Sequence, residues 1–124
     1  MGSNYSRNKG HSYERTLAER FRTVFGFTKC KTSRQASRLL DDCKVDLAFT
    51  KGFLIQAKSG YVNNRPKPDM IFSEMRRLLK EHYEDDSPEF TYDPILFHKL
   101  DTKGEFVTME YALFEKLFKK YRDQ

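Results

Sequence analysis

The chain has 124 residues, 33% charged and 38% hydrophobic, enough for one domain with one core and too few for two. No apolar run approaches the roughly 18 residues that a membrane helix needs, so a membrane partner is not expected. The net charge of +5 is unevenly spread: residues 1–67 hold 14 Lys+Arg against 5 Asp+Glu, leaving +9, and residues 68–124 hold 9 against 13, leaving −4; a polyanion such as DNA is drawn to the first half.

The opening MGSNYSRNKG is polar and lacks the apolar stretch of a secretion signal. Residues 1–9 are expected to be a flexible basic arm and 10–124 a single domain. From Gly10 to Phe25, Tyr13, Leu17, Phe21 and Val24 or Phe25 recur at helical spacing, with Ser12 or His11 as a capping candidate and Gly26 as the stop. Phe27 to Thr32 alternates like a short edge strand. Residues 33–43 look like a polar loop. KVDLAFT (44–50) and FLIQAK (53–58) alternate on either side of the Lys51-Gly52 turn and read as a hairpin. After a Gly/Pro/Asn loop, Asp69 to about Tyr83 is helical, with Ile71, Met75, Leu78 and Leu79 on one face. An acidic loop (84–94) leads to the apolar strand 94–100, a Thr102-Lys103-Gly104 turn, a strand at 105–109 and a last helix over 110–122. Leu113, Phe114, Leu117, Phe118 and Tyr121 are expected to face inward there, and the aromatic stripes Phe21/Phe25 and Phe114/Phe118/Tyr121 read as core or dimer surface rather than as base-stacking platforms. The predicted order is αβββαββα, an α/β (α+β) domain with a mixed sheet flanked by helices. Cys30 and Cys43 form no Cys/His zinc pattern and read as reduced thiols of a cytoplasmic protein.

The hairpin carries the chemistry. Gln56 and Lys58 are separated by one residue, so they project from one face of their strand, and Asp46 lies on the neighbouring strand. Phosphodiester hydrolysis puts negative charge on the scissile phosphate and the attacking water. Mg²⁺, for which Mn²⁺ can substitute, neutralises the first and acidifies the second through hard oxygen ligands. Asp46 is the expected main ligand, the Gln56 amide oxygen and the Ala57 backbone carbonyl are further ligands, and Lys58 stabilises developing charge. The alternative reading is ordinary polarity at a strand end. Asp41 and Asp42 compete for the acid's role; Asp46 is preferred because the alternating strand is built around it.

The order Asp46, then Gln56-Ala57-Lys58, resembles the PD-(D/E)XK nuclease superfamily. NKGHSYERTLAERFRTVFGF (8–27) resembles the opening of archaeal-type Holliday junction resolvases. TSRQASRLLDDCKVD (32–46), the Gln-x-Lys strand and His98-Lys99 are similar to putative phage nucleases of that fold. The resemblance covers roughly residues 8–118. It implies a restriction-endonuclease-like fold, Glu14 as a fourth active-site and metal-supporting residue, and a homodimer that cuts branched DNA, in the host cytoplasm if phage-encoded. Two departures stand out. Gln56 replaces the usual acid, as in the Mrr-type restriction endonucleases, and Val45 replaces the proline before the aspartate.

Ser33, Arg34, Ser37 and Arg38 precede the hairpin and are expected to grip phosphates, with Arg7, Lys9, Arg65 and Lys67 extending the grip. For each, the alternative is a solvated surface. His98, ending an apolar strand, is a further candidate contact or a structural histidine; His11 and His82 are assigned no chemistry. Three functions follow: a structure-selective resolvase, a restriction-like (Mrr-type) or general DNA nuclease, and a catalytically weak DNA-binding protein of the same fold.

Overall fold

A computed structural model describes residues 2–60, 63 and 65–124, with side chains described from residue 7 onward. Helix α1 spans Gly2–Thr23, followed by β1 (Lys31–Thr32), α2 (Ser33–Ala36), α3 (Arg38–Asp42), β2 (Leu47–Ala48) and β3 (Phe53–Gly60). Then come α4 (Pro68–His82), a 3-10 turn (Pro88–Thr91), β4 (Asp93–Leu100), β5 (Gly104–Met109) and α5 (Tyr111–Arg122). β1 and β2 form a small antiparallel sheet. β3, β4 and β5 form a mixed sheet in that order, β3 parallel to β4 and β4 antiparallel to β5. The α4 crossover is what allows a parallel β3–β4 pair, since a tight turn cannot join parallel strands.

Alternation along β3 divides the core. Ile55 and Ala57 pack against Tyr13, Leu17, Ala18 and Phe21 of α1, with Ile95 and Leu113. Leu54 faces the other way, with Leu96 and with Phe72, Met75 and Leu79 of α4. One face of the sheet is therefore covered by α1 and α5, the other by α4. Pro68 opens α4, where its missing N–H costs no hydrogen bond.

Several elements differ from the sequence expectation. Residues 2–9 belong to α1 and are not a separate arm. No proline interrupts them, and the Lys9 ammonium binds the Asp101 carboxylate at 2.6 Å, tying this turn to the β4–β5 connection. With the helix starting at Gly2, His11 and Ser12 are interior positions and do not cap it. Gly26 is the stop: at φ +86° it turns the chain so that the Phe27 N–H donates to the Phe21 carbonyl at 2.8 Å. The expected loop at 33–43 folds into two short helices separated by Ser37, whose extended backbone ends α2 and whose Oγ accepts the Leu40 N–H. The expected strands at 27–32 and 44–50 shrink to two residues each. Phe49 at φ +64° breaks the second one, and the expected hairpin of 44–50 with 53–58 does not form as a paired ladder: β2 pairs with β1, and the two segments are linked by the Phe53 N–H to Thr50 carbonyl bond (2.9 Å) and the Asp46 N–H to Ile55 carbonyl bond (2.7 Å).

α5 departs most. Leu113 is buried and Leu117 partly so, but Phe114, Phe118 and Tyr121 are exposed instead of facing inward. Twelve residues of one helix cannot turn a stripe this wide onto one sheet; the two leucines, about 100° per residue from their neighbours, already take the inward direction.

Candidate active site

Asp46 is fixed by three hydrogen bonds. Its N–H donates to the Ile55 carbonyl at 2.7 Å, its carbonyl accepts the Ser33 N–H at 2.8 Å, and its Oδ2 accepts the Ala57 N–H at 2.7 Å. Ile55 and Ala57 flank Gln56, so the carboxylate lies against β3 beside the Gln56-Ala57-Lys58 run. β2 pairs with β1 and not with β3, which leaves this stretch of the β3 edge to the Asp46 backbone and side chain. A strand residue's N–H and carbonyl point to the same side, so the Ala57 carbonyl faces the same edge as the Asp46 carboxylate.

The electrostatics of this edge are unusual. The Asp46 carboxyl is raised to about 7, first by burial, and the charges around it have a share in that value. Within that net rise, the negative charges of Glu14 and Asp41 act with burial, while the Ala57 N–H and the Lys58 ammonium act against it. Glu14 projects from α1, partly buried, and forms an ion pair with Arg34. Burial raises the Glu14 carboxyl as well; Arg34, Arg15 and Lys58 oppose the rise and Asp41 reinforces it. Two carboxylates thus share a partly dry environment in which ionising both is costly.

On the α4 face, Gln56 is buried and its Oε1 has no hydrogen-bond partner. Gln56 and Lys58 line one depression with Lys44, Met70, Ile71 and Glu74. An orphaned amide oxygen is an uncompensated cost in a core. Among the described residues, no three His, Cys, Asp or Glu side chains come close enough to hold a metal by themselves. Asp46, the Gln56 amide oxygen and the Ala57 carbonyl are nevertheless hard oxygen donors of the kind Mg²⁺ and Mn²⁺ take. The raised carboxyls owe their rise first to burial, and the unpartnered Gln56 Oε1 is a hard oxygen that no protein donor satisfies.

The expected phosphate contacts divide. Arg7, Arg38, Arg65 and Lys67 are exposed, Arg38 with only a loose 3.9 Å contact to Asp42. Arg34 is exposed but engaged with Glu14, and Lys9 is engaged with Asp101. Ser33 offers no hydroxyl to a phosphate: it is fully buried, its Oγ unpartnered, and its backbone holds Asp46. Ser37 caps α3. His98 pairs in register with Lys58 across β3 and β4, which puts it on the same face. Its Nε2 lies 3.3 Å from Thr108 Oγ1, its ring packs on Phe106, and its Nδ1 is buried without a partner. Burial and then Arg65 hold its pKa below the usual histidine value.

Two acids near the site were not assigned to it from sequence. Asp41, set aside as a competitor, acts on both Glu14 and Asp46. Glu74 lines the Gln56–Lys58 depression; its spacing from Met70 and Ile71, which puts all three on one face of α4, was the available signal. His11 also lies within the fields of Arg34 and Asp41. No family model, curated protein or solved structure matches this chain.

Proposed function

We propose that the chain is a metal-dependent DNA endonuclease with a restriction-endonuclease-like fold of the PD-(D/E)XK kind, centred on Asp46, Gln56, Lys58 and Glu14. The observation that carries this reading is the Asp46 carboxylate hydrogen-bonded to the Ala57 N–H, beside Gln56 and Lys58, with the charge of Glu14 acting on it. Asp46, the Gln56 amide oxygen and the Ala57 carbonyl would hold Mg²⁺ or Mn²⁺, with Glu14 supporting from α1. When bound, the ion supplies Lewis acidity and lowers the pKa of a water.

The chain's own groups have separate tasks. The Ala57 N–H and the bonds from Ser33 and Ile55 orient the Asp46 carboxylate. Lys58 stands on the same strand face as Gln56 and stabilises negative charge developing on a phosphate. Arg34 holds Glu14 in place. Arg7, Arg38, Arg65 and Lys67 remain as phosphate contacts, and the +9 charge of residues 1–67 steers DNA to this half.

The substrate we favour is branched DNA, a four-way junction cut by a homodimer, because a two-fold dimer matches a two-fold junction and one small domain cuts one strand at a time. The test is incubation with a labelled four-way junction and a linear duplex, with Mg²⁺, Mn²⁺ or a chelator. Symmetric metal-dependent nicks confined to the junction are expected. Equal cutting of the duplex would make the chain a general nuclease, and binding without cutting a DNA-binding protein that lost its activity.

A further inference from the structure

The α5 helix carries two apolar faces. Leu113 and Leu117 turn to the core. Tyr111, Phe114, Phe118 and Tyr121 form the second face, 74%, 48%, 62% and 74% exposed. Their steps of three, four and three residues make a strict seam of the kind one helix presents to another. The seam is already ordered: the Phe114 and Phe118 rings stack at 5.0 Å, and Phe118 and Tyr121 stack at 6.3 Å. Nothing else in the described part of the chain covers these rings.

We propose that this face is the contact with a second copy of the chain, the two α5 helices lying antiparallel across a two-fold axis. The contact deepens the homodimer part of the reading above and rests on it for its purpose; its evidence is the face of α5. Antiparallel pairing places Tyr111 opposite the partner's Tyr121 and Phe114 opposite the partner's Phe118, so all four aromatics find aromatic neighbours. It sets the basic last turn, with Lys119, Lys120 and Arg122, beside the other helix's first turns, whose Glu110 and Glu115 are paired within their own chain with Arg76 and Lys119, and it opposes the helix dipoles.

The area points to self-association. At about 200 Å² per aromatic ring, the exposed fractions leave roughly 500 Å² of ring surface on one protomer. Two copies together would bury about 1,000 Å², the threshold for a specific contact, reached only if both sides contribute such a stripe. The dimer is therefore expected to be weak and concentration-dependent.

Analytical ultracentrifugation of the full chain tests this. The apparent mass is expected to rise with concentration from the 14.8 kDa of one chain toward twice that value. Phe118→Asp, at an exposed position, should hold the protein at the monomer mass with an unchanged circular dichroism spectrum. Orientation is read by cysteine crosslinking: Tyr111→Cys mixed with Tyr121→Cys should crosslink, and neither variant should crosslink alone. A wild-type protein that stays monomeric into the hundreds of micromolar, or a Phe118→Asp variant that still dimerises, overturns the proposal. So does a variant whose mass is unchanged but which loses single-stranded DNA binding, because the aromatics would then be stacking bases. These readouts do not depend on cleavage, so a failed dimer and a failed nuclease assignment are told apart.

Discussion

Replacing Asp46 by Asn removes a carboxylate that the fold holds at a cost. The Asp46 carboxyl rises from 3.8 to about 7, chiefly through burial and the charge of Glu14. A group whose folded pKa lies above its unfolded one binds its proton more tightly in the folded state. Its contribution is intact below 3.8, where both states are protonated, and is lost as the pH rises through 7, where both are ionised. At 1.36 kcal/mol for each unit, the full cost of the ionised carboxylate is about 4 kcal/mol, and about 3 kcal/mol of it accrues between pH 5 and pH 8. The Asn variant is neutral throughout and retains an oxygen for the Ala57 N–H. It should be more stable than the wild type at pH 8, and the gap should shrink toward pH 5. Urea unfolding of both proteins at the two pH values, with a chelator present, measures this. A gap that does not change with pH, or an Asn variant less stable than the wild type at pH 8, refutes the reasoning.

Adding Mg²⁺ at pH 8 should stabilise the wild type by about 2.7 kcal/mol at a hundredfold excess over Kd and leave Asp46→Asn unmoved, read as the shift in melting temperature. Lys58→Ala is expected to abolish cleavage while leaving DNA affinity in a mobility-shift assay largely intact. Arg34→Gln removes the charge that holds the Glu14 carboxyl down, so Glu14 should titrate at higher pH, as read by carboxyl NMR shifts; with Arg34 exposed, the stability change should stay within about 1 kcal/mol. Ser37→Ala should cost roughly 0.5–2 kcal/mol through the lost cap of α3, seen in chemical denaturation, with DNA affinity unchanged.

Sequence patterning identified the elements whose apolar residues are fully committed to one core. The α4 face of Met75 and Leu79, and the strand carrying Leu54 and Ile55, could be read because burial there matches the helical and strand periods. The structure does bring Asp46 beside β3, but not through the alternation expected around it: Val45 and Leu47 are buried in different parts of the core, and hydrogen bonds to Ile55 and Ala57 hold Asp46 there. What stayed hidden depends on tertiary partners. The apolar period of α5 shows which residues share a face but not whether anything covers that face, so Phe118 looked like Leu117. Ser33 looked like a phosphate ligand because its type suits one; only the bond from its N–H to the Asp46 carbonyl explains its burial. Ser37 was read for its hydroxyl, although a serine ahead of a leucine pair is also a helix cap. Phe49 and Lys44 take positive φ values that their residue types do not advertise, and with Phe49 the second strand ends early. Residues 2–9 carry no apolar period, yet α1 includes them, held at Lys9 by a contact 92 positions away in the chain.

The most direct measurement of the central claim is the rate of DNA nicking in Mg²⁺, compared between the wild type and Asp46→Asn on the same labelled junction. Metal-dependent nicking by the wild type, eliminated by a chelator and by the substitution while junction binding persists, is the predicted result. Nicking that survives the loss of the Asp46 carboxylate would contradict the assignment.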